Sequence, residues 1–153
     1  MVDVTFESFV RDSAPRLRAA LVATFGTQRG LEAVHDALAY GWEHWDRIGP
    51  MANPVGYLFR VAYRNALREG NCRRPVFDVP PVEALPNFEP RLLPALAQLS
   101  EQQRVAVVLV HGYGWPIVEL AALLEITHST ARTHLARGLA NLQHALEVHR
   151  DAD

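Results

Sequence analysis

The feature that most constrains this chain is a proline cluster near its centre. Six of the ten prolines fall between Pro75 and Pro94, in RRPVFDVPPVEALPNFEPRLLP. Proline removes a backbone donor and restricts the residue before it, so neither a long helix nor a central strand survives there. The cluster divides the 153 residues into two modules joined by a tether. Val76, Phe77, Val79, Val82, Leu85 and Phe88 give the tether apolar side chains that can dock on a surface.

Both modules read as helical, and no strand alternation is long enough to matter. In the front one, a short helix is expected over Phe6 to Arg11. A second is expected to open at Pro15, after Ser13, and to end at Gly26. A third should run from about Arg29 to Trp45. Asn53-Pro54 reads as an N-cap followed by the first helical residue, opening a helix to about Glu69. In the back module, Ser100 with Gln103 is a capping-box signature before the apolar run Val105 to Val110. Gly112 and Gly114 break that helix, Pro116 opens the next over Ile117 to Leu124, and Thr127 caps the last.

That last helix sorts into two faces. Ala131, Leu135, Gly138, Leu139, Leu142, Ala145 and Leu146 recur at helical spacing as one apolar stripe. Ser129, Thr130, Thr133, Ala136 and Arg137 lie opposite, flanked by Arg132 and His134. This outward face is small, hydroxylic and basic, with no carboxylate. Arg forks onto guanine or phosphate, and Thr reaches phosphates or a thymine methyl, so such a face suits a major groove.

Charge sets a limit on that reading. The formal net charge is −2, whereas a free-standing nucleic-acid binder is often strongly basic. Residues 1–70 carry eight Arg and eight acids, and residues 91–153 five Arg and six acids. A DNA-binding role therefore points to a larger assembly that supplies most of the affinity. No apolar run reaches membrane-spanning length. The acidic, amphipathic start MVDVTFESFVRD does not read as a signal peptide, which points to the cytoplasm. Cys72 is the one cysteine and has no partner thiol, so it reads as a plain exposed cysteine despite Arg73 and Arg74 beside it. His111, His128, His134, His144 and His149 do not form a ligand set, since His144 and His149 miss the i, i+4 spacing. No catalytic set, phosphate loop, metal motif or cofactor motif is present, so an enzyme is not expected. Trp42 and Trp45, three apart on an expected helix, read as core packing rather than as stacking platforms for bases.

With two helical modules, a proline-rich tether and a terminal helix-turn-helix, the chain resembles an extracytoplasmic-function (ECF) RNA polymerase sigma factor, as a divergent member. The segment LPALAQLSEQQRVAVVLVHGYGWPIVELAALLEITHSTARTHLARGLANLQ resembles region four. Its marks are Leu99, Gln103-Arg104, Val107 to Val110, Gly112, Glu119-Leu120-Ala121, Thr130, Arg132, Arg137 and Leu142. LEAVHDALAYGWEHWDRIGPMANPVGYLFRVAYRNALRE resembles region two, through Trp42, Trp45, Asn53-Pro54 and Leu58-Phe59-Arg60-Val61-Ala62. The resemblance implies an all-α fold: a region-two-like bundle at 1–70, a Pro-rich linker at 71–90 and a region-four-like helix-turn-helix at 91–153.

It also implies roles. Glu32, His35 and Asp36 would dock on a basic coiled coil of core RNA polymerase. Tyr57, Arg60, Arg64 and Arg68 would engage the downstream promoter element. Ser129, Thr130, Arg132, Thr133, His134 and Arg137 would contact the upstream one. An anti-sigma factor is an implied further partner, and the free chain is expected to be a monomer. Several positions depart from the family pattern. The usual Asp, Gln and Phe slots of the docking helix hold Glu32, His35 and Leu38. Tyr57 stands for a Trp, Arg64 for an Asn and His134 for an Arg. Glu125 occupies a turn position that usually carries Gly, where a left-handed residue with a side chain costs roughly 1 kcal/mol or more. Two other readings stay open. One is a stand-alone, dimeric helix-turn-helix regulator. The other is an interaction module whose halves pack together and bind a regulator without DNA.

Overall fold

In a computed structural model, residues 5–69, 75–78 and 89–151 are described, and they are mostly helical, with no strand among them beyond an isolated bridge between Gly26 and Val76. The elements are α1 (Phe6–Phe25), α2 (Thr27–Glu43), α3 (Trp45–Ile48), α4 (Pro54–Arg68), α5 (Leu92–Gln98), α6 (Glu101–Val107), a π-helical turn (Val108–Gly112), α7 (Ile117–Leu124) and α8 (His128–Asp151). Of the tether, only 75–78 and its end from 89 are described, so Cys72, Val79, Val82, Leu85 and Phe88 lie outside the described residues.

The local signals for helix starts act as the sequence suggests. Asn53 Oδ1 accepts from Gly56 N at 3.0 Å, with Pro54 as the first helical residue. Ser100 Oγ accepts from Gln103 N at 3.3 Å. The return half of that capping box is not made, because the Gln103 side-chain oxygen accepts from Asn141 Nδ2 at 3.1 Å instead. Thr127 Oγ1 accepts from Thr130 N at 3.1 Å and starts α8.

Two expectations are corrected. α1 is one helix of 20 residues with Pro15 inside it, not two helices broken there. Proline costs a helix one hydrogen bond. Here burial on both sides of Pro15, at Phe9 and Ala14 before it and Leu17, Ala20 and Leu21 after it, offsets that loss. The tryptophans also part company. His44 leaves the helical region at φ −118°, ψ 21° and ends α2 between them. Both rings meet Phe6 edge-on with centroids at 5.4 Å, but Trp45 also packs against Phe9 at 4.9 Å, whereas Trp42 stays 66% exposed.

The halves are not held apart. One hydrophobic core runs through both, joining Leu17, Leu21, Ile48 and Leu58 from the front to Val105, Leu109, Leu120 and Leu123 from the back. A smaller cluster of Leu96, Leu99 and Val107 lies within the back half, and Phe77 of the tether packs on it. The tether is pinned at the α1–α2 corner. Thr27 N donates to Val76 O at 2.9 Å, and Asp78 N donates to Thr27 Oγ1 at 2.9 Å. Gly26 turns this corner at φ 90°, ψ 179°, and a Cβ there would stand 2.4 Å from Val76 O. Only glycine satisfies both demands.

Candidate nucleic-acid interface

α7, the turn after it and α8 form the helix-turn-helix. Glu125 makes the turn at φ 54°, ψ 44°, the left-handed conformation that the resemblance implies for that position. Ile126 N then donates to Ala121 O at 3.1 Å, closing the end of α7. α8 lies on α6 through its apolar stripe. Ala131 is fully buried, and Gly138 sits so close to α6 that a Cβ would meet Val107 Cγ2 at 2.8 Å and Gln103 O at 3.0 Å. This crossing turns the opposite face of α8 outward. Ser129, Thr130, Arg132, Thr133 and Arg137 are exposed and His134 is half-buried.

The hydroxyls on that face are partly spoken for. Thr133 Oγ1 donates to Ser129 O at 3.1 Å, and the Thr127 and Thr130 hydroxyls lie 2.8 Å apart. All three threonines are exposed, and their hydroxyl oxygens keep lone pairs. Arg132 and Arg137 form no salt bridge among the described residues.

In the front half the expected docking residues Glu32, His35 and Asp36 are all exposed on α2, and Leu38 is half-buried. Glu32 and Asp36 line a shallow groove between α2 and α4, together with Arg29, Asn65 and Glu69. On α4, Arg64 and Arg68 are exposed, whereas Arg60 is half-buried and turned toward the back half. Tyr57 is half-buried and pairs its hydroxyl with that of Tyr40. That contact raises the pKa of Tyr57 and lowers that of Tyr40, whose hydroxyl also accepts from Arg47 Nη2 at 2.8 Å. Arg47 is thereby a cation beside Tyr57 that the sequence did not single out.

The contacts between the halves were the least legible. Arg104, 3% exposed, donates through Nε to Ala23 O at 2.6 Å, through Nη2 to Thr24 O at 2.8 Å and through Nη1 to Leu99 O at 3.2 Å. Burial pushes its pKa down, and the nearby Glu101 carboxylate opposes that. Tyr63 Oη donates to Glu101 Oε2 at 2.8 Å. Arg16 pairs with Glu119 and lies over the Trp115 ring, 4.6 Å from its centroid. Arg60 Nε lies 3.3 Å from Glu125 Oε1.

Residues 91–142 match the sigma-70 region 4 family. That match spans α5 to α8 up to residue 142, the helix-turn-helix included. No curated protein matches the chain. Several solved structures share its fold, two of them complexes. One is the sigma factor RpoE in complex with the anti-sigma factor NepR from Bartonella quintana. It has 21% identity and a TM-score of 0.70, over 94% of this chain and 97% of that one. The other is the PhyRSL–NepR complex from Sphingomonas sp. Fr1, with 21% identity and a TM-score of 0.67, over 92% of this chain and 88% of that one. The sigma-factor fold thus covers the front half as well, with region 4 marked by its own sequence. No helix among the described residues is long and apolar enough to cross a membrane.

Proposed function

We propose that this chain is an ECF-type sigma factor that binds core RNA polymerase and directs it to promoters in the cytoplasm, without catalytic chemistry of its own. The observation that carries the reading is the outward face of α8. Within a region 4 domain it presents Ser129, Thr130, Arg132, Thr133 and Arg137 to solvent with no carboxylate among them. That face enters the major groove of the upstream element, where Arg137 and Arg132 contact phosphate or guanine and Thr130 and Thr133 contact phosphate or a thymine methyl. Glu32 and Asp36, with His35 between them on the same helix, meet a basic surface of the polymerase. Arg64 and Arg68 track backbone phosphates at the downstream element, and Arg60 joins them once free of Glu125. A net charge of −2 fits a factor whose DNA affinity comes mostly from the polymerase.

The deciding experiment is co-elution of the purified chain with core RNA polymerase on size exclusion near physiological salt. Stable co-elution supports the sigma reading, and its absence from a folded chain overturns it. Two observations favour a second reading, an interaction module that binds a regulator without DNA. The two halves share one core, and the two similar structures named above are complexes with NepR. Binding to an anti-sigma partner without binding to polymerase is the outcome that supports this second reading.

A further inference from the structure

The Arg60–Glu125 pair joins two oddities that are far apart in the sequence. Arg60 is the first cation of the α4 stripe, and Glu125 is the left-handed turn of the helix-turn-helix. The turn gives no reason for glutamate, since its backbone favours Gly, or Asn and Asp with their short side chains. The seam between the halves does give one. Across it a carboxylate offers a guanidinium the same anionic oxygens that a DNA phosphate would. Arg60's side chain is only 27% exposed, whereas Arg64 and Arg68, one and two turns further on, are exposed and form no salt bridge among the described residues.

We propose that Glu125 is an internal stand-in for a backbone phosphate. While the halves are closed it holds Arg60, and DNA gains that cation only when the turn moves off α4. The inference rests on the proposed reading of α4 as a DNA-contacting helix. The surroundings suit a contact that must yield. Beside the pair lies a cavity of about 370 Å³, with Phe59, Tyr63 and Leu67 on one wall and Val105, Leu123 and Leu124 on the other. The Glu125 side chain is 62% exposed, so salt and competing anions reach it. An open ion pair of this kind is weak and readily screened. Closure itself is carried by Arg104 and the shared core, which leaves the pair free to act as a gate on one residue.

The test uses the full chain with four changes: Glu125→Asn, which keeps a residue tolerant of the left-handed turn, Arg60→Ala, the two combined, and Arg64→Ala. The first readout needs no DNA. Side-chain nitrogen NMR should show slower exchange of the Arg60 Nε–H in the wild type than in Glu125→Asn, and equal rates overturn the inference. The second readout is titration of a forked DNA duplex across a salt series. Glu125→Asn should bind roughly two- to fivefold tighter, with a salt slope steeper by about one. The gain should vanish in the Arg60→Ala background. A gain that persists without Arg60 reflects general loss of negative charge and overturns the inference, as does no gain at all. Arg64→Ala separates the two layers. If it weakens binding while Glu125→Asn changes nothing, the gate alone is wrong. If neither change matters, the reading of α4 falls with it.

Discussion

The Arg104 guanidinium donates to the carbonyl oxygen of Ala23 at 2.6 Å, joining residues 81 positions apart. Ala23 and Thr24 sit in the last turn of α1, where carbonyls have no partner within the helix and carry partial negative charge. The back half therefore caps a helix of the front half with a buried cation. A guanidinium suits the task because its planar fork reaches three carbonyls at once.

Replacing Arg104 with Met should leave the Ala23 and Thr24 carbonyls buried and unpaired. The expected loss is on the order of 2–4 kcal/mol, seen as a melting temperature lower by roughly 5–15 °C. Arg104→Lys should fall between the two, since one ammonium cannot serve three acceptors with that geometry. Thermal unfolding followed by circular dichroism checks both. A Met variant as stable as the wild type would show that these hydrogen bonds do not hold the halves together.

Gly26→Ala meets two penalties together. The backbone at φ 90°, ψ 179° excludes a side chain, and the new Cβ would collide with Val76 O. The cost should be about 2 kcal/mol or more, and the tether should detach from the α1–α2 corner. Faster amide exchange at Thr27 and Asp78, the two donors lost, is the specific readout.

The double reversal Glu32→Arg with Asp36→Arg changes two exposed side chains, so the fold should survive with a melting temperature within a few degrees. Polymerase association should be lost. Retention on size exclusion at wild-type levels would place the docking surface elsewhere.

Arg137→Ala removes an exposed cation from the outward face of α8. Upstream-element binding in the polymerase complex should weaken by about 1–3 kcal/mol if Arg137 reads a guanine. If it contacts phosphate alone, the loss should be uniform across sequences and the salt slope shallower by about one. Electrophoretic shifts on matched and mismatched promoters separate these two outcomes. Unchanged binding would remove Arg137 from the interface.

Helix starts at Asn53, Ser100 and Thr127 were legible in the sequence because a cap is a bond between residues three apart. The two-faced character of α8 was legible for a similar reason, since helical period alone sorts its side chains. The left-handed turn at Glu125 was legible only through the family resemblance, which puts it where Gly is usual. Pro15 misled because its local cost is real, but the burial around it that outweighs that cost comes from other elements. Trp42 misled because a spacing of three residues does not show that only Trp45 reaches Phe9 as well as Phe6.

Nothing within either half announces Arg104 as a cap for α1, Glu101 as a partner of Tyr63, or Glu125 as a partner of Arg60. By itself the sequence determined the helix starts at Asn53, Ser100 and Thr127 and the outward face of α8, all set by interactions within a few residues. Only the tertiary structure decided that the halves close on one core, that Arg60 faces Glu125 and that Trp42 stays in solvent. These depend on which surfaces of separate helices meet, and the shape of the shared core fixes that.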